Sequence, residues 1–215
     1  MSLADDVVGR QRPGKAAIMR AAVTVMGEQG YEGASVRDMA SRAGVSVAAL
    51  YYHFPSKHDL LREYLIEAWE VLLARLDRRL RTASPDARSQ LDEFVSTLIA
   101  AQLHDDYAKV ASNVALREHT RLAPPERALM KPLHDRLQAT IERIVAAGVC
   151  DGTFAPAAAD HETARAIVIL ATSLSRTLAA EGRAMPEVIT TLQQMAHALV
   201  GDVADAAAVA HMPDV

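Results

Sequence analysis

The sequence predicts an all-α protein of about nine helices, and three observations lead there. Apolar residues recur at three- and four-residue intervals in one segment after another, with Gly, Pro or Ser clusters between the segments. Half of the 215 residues are apolar but only 4% are aromatic, and the Ala, Leu and Val that dominate favour helices over sheets. Between Ser35 and Lys57 the chain packs two short helices, the turn joining them and the start of a third. No internal repeat and no pair of strands is visible.

Residues 1–12 lack periodicity and read as a mobile arm. The first helix follows Pro13, with Ile18, Ala21, Ala22, Val25 and Met26 on one face, and Gly30 ends it. Ser35 is an N-cap for a short helix whose apolar side is Val36, Met39 and Ala40. Gly44 supplies the positive φ that stops this helix, and Val45 plugs the corner. Ser46 caps the third helix, Val47 to Tyr52 or His53, whose inward side is Val47 and Leu50; Ala40 is small enough to let this helix cross closely. The product is a helix-turn-helix, a build that seats one helix in a DNA groove with polar groups along its border for phosphates.

Pro55 breaks the chain, Ser56 caps the fourth helix and Asp59 is the acidic partner of that cap. This helix carries Leu61, Leu65, Trp69, Leu72, Leu76 and Leu80 inward and ends near Ser84-Pro85. A fifth follows over 86–103, with Leu91, Phe94, Val95, Leu98 and Ile99 inward, and a sixth over 106–119. The seventh runs from Pro124-Pro125 to Gly148, and Pro132 either kinks it or marks its true start. Val149 to Thr153 is turn chemistry. The eighth helix spans 160–180 and the ninth begins at Pro186, and the last dozen residues fray.

Net charge is −4, which alone would not suggest a nucleic-acid partner, but its distribution does. Between Arg10 and His58 seven Lys/Arg face three acids, whereas from Leu61 onward 16 face 21. A basic head on an acidic body turns the head toward a polyanion. The single cysteine, Cys150, excludes an internal disulfide framework. With no signal peptide and no apolar run of membrane-spanning length, the expected compartment is the cytoplasm, with no membrane partner.

The run from Gly30 to Leu61 closely resembles the DNA-binding segment of the tetracycline-repressor (TetR) family of bacterial transcription regulators. The resemblance lies in Gly30-Tyr31, Ser35-Val36-Arg37-Asp38-Met39-Ala40, Ala43-Gly44-Val45-Ser46, and Leu50-Tyr51-Tyr52-His53-Phe54 with Ser56-Lys57. The rest of the chain is similar in length and helical character only. The resemblance implies an arm and helix-turn-helix DNA-binding domain over 1–56, and a helical ligand-binding and dimerisation domain over 57–215. It further implies a homodimer reading a palindromic operator on double-stranded DNA, and the apolar stripes Ile167, Leu170, Ala171, Leu174 and Leu178 of the eighth helix and Ile189, Leu192, Met195, Ala196 and Leu199 of the ninth recur at the spacing of a bundle seam between two copies. Release would come from a small hydrophobic effector, with acyl-coenzyme A esters or other lipid-like molecules a candidate class.

On the third helix the outward positions are Ser46, Ala48, Ala49, Tyr51, Tyr52 and His53, and Val47 at its first turn counts with this DNA-facing set. By resemblance, Tyr51, His53 and Lys57 hold the DNA backbone, and Tyr52 lies against backbone or base. Ala48 and Ala49 can touch thymine methyls but donate no hydrogen bonds. Ser35 and Arg37 can grip phosphate from the second helix, and Arg10, Arg12 and Lys15 can do so from the arm. For Tyr52 and Phe54, packing under the fourth helix is an equal alternative; Lys57 can be a plain solvated charge, and Arg42 reads as surface charge.

No constellation in the body argues for catalysis, and neither a cofactor nor a metal is expected. Histidines 104, 119, 134, 161, 197 and 211 lack metal-ligand spacing, and Cys150 has no basic neighbour to activate it. The candidate effector site is an apolar cavity with a few polar anchors. Trp69, Leu72 and Leu73 would face Phe94, Leu98 and Gln102; Val110, Asn113 and Arg117 would join from the sixth helix, and Leu133, Leu137 and Ile141 from the seventh. The plain alternative for each is core packing. Two other functions stay open, a helical enzyme or small-molecule carrier and a regulator controlled by a protein partner.

Overall fold

The computed structural model describes residues 14–103 and 124–201, and every regular element among them is helical. Helix α1 (Lys15–Gly33) buries Ile18, Met19, Ala22, Val23, Val25 and Met26. Gly30 breaks its regularity with φ 76°, and one further turn carries the chain to Gly33. Helix α2 (Val36–Ala43) begins at the Ser35 cap and ends at Gly44, whose φ of 67° is the left-handed conformation a glycine adopts without penalty. Helix α3 (Val47–His53) has Leu50 as its buried residue. Val47, expected inward, is 36% exposed and so does not serve as an anchor. It stands at the first position of a seven-residue helix, before any packing face has been established.

Helix α4 (Lys57–Thr82) is shared between two cores. Leu60, Leu61, Tyr64 and Leu65 pack with α1–α3 and the fully buried Phe54, whereas Leu73 and Leu76 pack in the body. Leu72 and Leu80, expected inward, are half-buried at the edge of the body core. Trp69 is half-buried at the junction and packs against both cores.

The body consists of α5 (Ala87–Leu103), α6 (Pro124–Cys150), α7 and α8. Helix α6 starts at Pro124 and runs on through Pro132, so Pro132 does not mark its start. A side chain at Gly148 would run into the Phe154 ring, so this close approach needs glycine. Helix α7 is composite: His161–Ile169, a π-turn over Leu170–Leu174, and Ser175–Ala180. Helix α8 covers Met185–Val200. It is tied to α5 by the Gln193 amide, which donates to the Asp92 carbonyl at 3.1 Å, and by His197 Nε2, 2.9 Å from Asp92 Oδ1. The expected arm (1–12), the sixth helix (106–119) and the C-terminal dozen lie outside the described residues.

The apolar stripes expected to join two copies are partly used within one chain. Ile167, Ala171, Leu192 and Ala196 are fully buried in this chain's own core. What remains exposed on α7 and α8 is Ile169, Met195 and Leu199.

Candidate nucleic-acid interface and effector site

Three serine caps build the head. The Ser35 hydroxyl accepts from the Asp38 N–H at 3.1 Å and donates to the Asp38 carboxylate at 2.7 Å, and Ser56 does the same with Asp59 at 2.9 and 2.7 Å. Each of these caps is a closed box stabilising its helix start by about 1 kcal/mol. Ser46 accepts from the Ala49 N–H at 3.1 Å, but α3 has no acid in its first turn. The positive end of α3 is therefore not neutralised by its own cap.

Leu50 from within α3 and Phe54 just beyond it anchor this helix in the head core, both fully buried. With these two inward, the opposite face is left to solvent: Tyr52 is 86% exposed and Tyr51 45%. Tyr52 therefore does not pack under α4, whereas Phe54 is core. Ser46 and Ala48 are exposed and Ala49 and His53 are half-buried, and Ser35 and Arg37 are exposed at the start of α2. The Tyr52 and His53 rings meet edge to face, 5.3 Å between centroids.

The cations of the head divide by partner. Arg42, read as surface charge, forms a two-pronged pair with Glu28 at 3.1 and 2.7 Å, clamping α2 to α1. Hydrogen bonds from this guanidinium hold the Glu28 carboxyl below the usual range. Lys15 lies on α1 rather than in an arm, 2.5 Å from Glu63 and 5.2 Å from the centre of the Phe54 ring. Lys57 is half-buried; its ammonium donates to the Tyr31 carbonyl and sits 4.3 Å from the centre of the Tyr31 ring. It borders α3, but it also fastens the start of α4 to the end of α1.

In the body, Phe94, Leu98, Leu137 and Ile141 are buried in one cluster, with Trp69 and Leu72 packed at its edge. The Trp69 ring meets His134 of α6 edge to face at 4.5 Å. Gln102, half-buried on the last turn of α5, has a buried Oε1 with no hydrogen-bond partner among the described residues. Val110, Asn113 and Arg117 lie outside the described residues. A shallow depression of about 300 Å³ opens elsewhere, bordered by Leu80, Arg81, Pro85, Gln90, Arg143 and Ile144, and no predicted effector residue lines it.

Two features escape the sequence reading. Ile169 is the most exposed aliphatic side chain on α7, and Arg176 has a buried Nε without a hydrogen-bond partner among the described residues. The signal for Arg176 was available, since it is the lone charge between Arg165 and Glu181.

Comparison with known proteins bears on this arrangement. Residues 18–64 match the family model described as bacterial regulatory proteins, tetR family, and residues 84–200 match that of the tetracyclin repressor-like C-terminal domain. The chain is 28% identical over 152 residues to the HTH-type transcriptional repressor KstR2 of Rhodococcus jostii, covering 70% of this chain and 72% of that one. It is 25% identical over 146 residues to KstR2 of Mycolicibacterium smegmatis, covering 65% and 66%, so the match spans just under two thirds of that relative. Among solved structures, a tetR-family regulatory protein from Rhodococcus RHA1 superposes with a TM-score of 0.75 at 24% identity, over 87% of this chain and 97% of that one. A Saccharomonospora viridis protein in complex with choline superposes at 0.71 and 26% identity, over 86% and 95%. Matched by family models over both its helix-turn-helix head and its helical body, the chain belongs to the TetR family of bacterial regulatory proteins.

Proposed function

We propose that this protein is a ligand-responsive repressor that binds a near-palindromic operator as a homodimer and leaves it when a small effector occupies the body. The observation that carries the DNA-binding part is the outward face of α3. A seven-residue helix held by Leu50 and Phe54 leaves Tyr51 and Tyr52 in solvent, beside Ser46 and Ala48. Exposing two aromatic rings on so short an element has a cost unless a partner covers them, and a groove with phosphate borders does so. Ser46, Tyr51, His53 and Lys57 would hold the backbone, with Ser35 and Arg37 flanking from α2. Val47, Ala48, Ala49 and Tyr52 would meet base edges, where alanines favour thymine methyls.

The switch would run through α4. Its first turns are built into the head core and its later turns into the body core, with Trp69 between them. An effector that binds more tightly to the conformer with badly spaced α3 helices lowers operator affinity by that difference, tenfold for each 1.4 kcal/mol. The relatives do not fix the effector: one similar structure holds choline, and a Bacillus subtilis FadR of 18% identity holds stearoyl-CoA. An effector site among Trp69, Leu72, Phe94, Leu98, Leu137 and Ile141, which pack together in the body, would favour a largely hydrophobic molecule. Operator binding requires the cytoplasmic compartment, and no helix among the described residues is long and apolar enough to cross a membrane.

Selection from a pool of random duplexes tests the reading. The expected product is a near-palindrome with half-sites about one helical turn, or a small multiple, apart. Recovery of no common sequence from the pool would reject operator recognition.

A further inference from the structure

Arg176 is half-buried, and its Nε, which is fully buried, has no hydrogen-bond partner among the described residues. The π-turn is what puts it there. A π-turn fits one extra residue into a turn, so everything beyond it is rotated by about 100° relative to an uninterrupted helix. Without the turn, Arg176 would fall in line with Arg165 and Ile169, both exposed. With it, Arg176 falls in line with Ala164 and Ala171, both fully buried, and Ser175 likewise falls in line with the buried Ile167. The rotation carries a cation toward the interior, where α5 packs along both the π-turn and Ser175–Ala180. Burial pulls the pKa of Arg176 below the usual arginine value.

The last turn of α5 carries the second orphan. The start of α5 (Ala87, Gln90) borders Ile144 and Ala147 near the end of α6, where the Ala155 N–H also donates to the Val200 carbonyl at the end of α8. With Asp92 tied to Gln193 and His197, α5 and α8 run in opposite directions, and the Leu103 end of α5 runs toward the turn joining α7 to α8. Arg176 stands near that turn, and Gln102 on this end of α5 has its buried, partnerless Oε1. Two half-buried side chains, each with a buried polar atom that has no partner among the described residues, stand at one end of an apolar cluster, and a bound polar ligand would satisfy both atoms.

We propose that Arg176 and Gln102 form the polar end of the effector site, and that the effector is an amphiphile whose anionic head, a carboxylate or a phosphate, docks on Arg176. This rests on the reading of the body as an effector-binding domain. The guanidinium fork matches either head, and Gln102, turned about its amide axis, offers an N–H to the same anion. The apolar tail would lie along Leu98 and Phe94, toward Trp69. The face that the π-turn gives Arg176 argues against a second copy of the chain as its partner, since Ile169 and Thr177 hold the outward positions on α7.

The test uses the full chain and Arg176→Met, with dodecanoate, dodecyl phosphate and dodecanol as probes in calorimetry and thermal melting. At least one anion should bind the wild type ten or more times more tightly than dodecanol, and this excess should vanish in Arg176→Met while dodecanol binding is unchanged. The head that gains the excess identifies the source. Without ligand, Arg176→Met should melt at the wild-type temperature or above it, because it removes a buried Nε that no hydrogen-bond partner satisfies. No excess over dodecanol in the wild type, an excess that survives the substitution, or a melting temperature lowered by several degrees would each overturn the proposal. Operator binding measured alongside separates the two readings. Release by dodecanol as complete as by the anions leaves effector control standing and removes Arg176 from it.

Discussion

Ile169→Glu bears on the proposed dimer, and its size can be worked from the structure. Burying an aliphatic side chain fully stabilises by about 1.5–3 kcal/mol. Ile169 is 52% exposed in the single chain, so a partner covering the rest would gain about 1 kcal/mol. A two-fold interface uses the residue twice, which makes about 2 kcal/mol. Ile169→Ala should therefore raise the dimer dissociation constant by about 30-fold. Ile169→Glu should raise it further, since each copy would bury a carboxylate without a partner. Because Ile169 lies outside the core, the stability of one chain should change by no more than about 0.5 kcal/mol. Sedimentation equilibrium over a concentration series reads the constant directly. Dissociation constants unchanged in both variants would refute an interface through the exposed face of α7.

Other perturbations separate the roles in the head and body. Lys57→Ala should lower stability by about 1–2 kcal/mol through loss of its bond to the Tyr31 carbonyl and its contact with that ring; it should also reduce the salt dependence of DNA binding by about one unit, and a stability loss with an unchanged salt slope would make Lys57 a purely structural residue. Tyr52→Ala should leave the melting temperature unchanged, since the side chain is 86% exposed, while weakening operator binding about tenfold; equal affinity of the two proteins in a fluorescence-anisotropy titration would remove Tyr52 from the interface. Asp86 starts α5, where the Ser84 hydroxyl and then the Ser89 N–H hold its carboxyl at about 2 against an ordinary 3.8. Its folded pKa is depressed, so its contribution is complete above the ordinary value and is lost as pH falls from about 4 toward 2. Asp86→Asn keeps a capping side chain and should flatten that part of the stability curve, measured by urea unfolding between pH 2 and 5; an unchanged curve would refute the linkage.

The head was legible in the sequence because its signals are local. Ser35, Ser46 and Ser56 each accept the backbone bond that their position predicts, Asp59 closes its capping box, and Gly44 takes the left-handed turn. Val47 was misread because a helix of seven residues spans too few turns for a period to fix the inward face at its first position. The seam on α7 was misread for a different reason. A π-turn shifts the phase of every residue beyond it, so a single 3.6-residue pattern drawn through 161–180 mixes two faces. Ile167 and Ala171, at or before the turn, were assigned to a partner for another reason: an apolar stripe does not say whether its own chain or a second copy covers it, and here its own core does. Arg176 escaped because its inward position depends on the phase shift. The apolar members of the proposed effector site could be named in sequence as helix faces, but which of them converge depends on how α4, α5 and α6 cross, a tertiary fact that no spacing encodes.

The central claim is that the body and the DNA-binding head are coupled through α4, and one linked pair of titrations tests it most directly. Operator affinity is measured with and without a saturating, thermally stabilising ligand, and ligand affinity is measured with and without saturating operator. If the two sites share one conformational equilibrium, both affinities must fall by the same factor. A coupling of 1–3 kcal/mol would make that factor between about 5 and 150. Trp69, packed against both cores, should report ligand entry by a fluorescence change in the same titration. Equal factors above about 5 are the predicted result; full ligand occupancy with operator affinity unchanged would contradict the account.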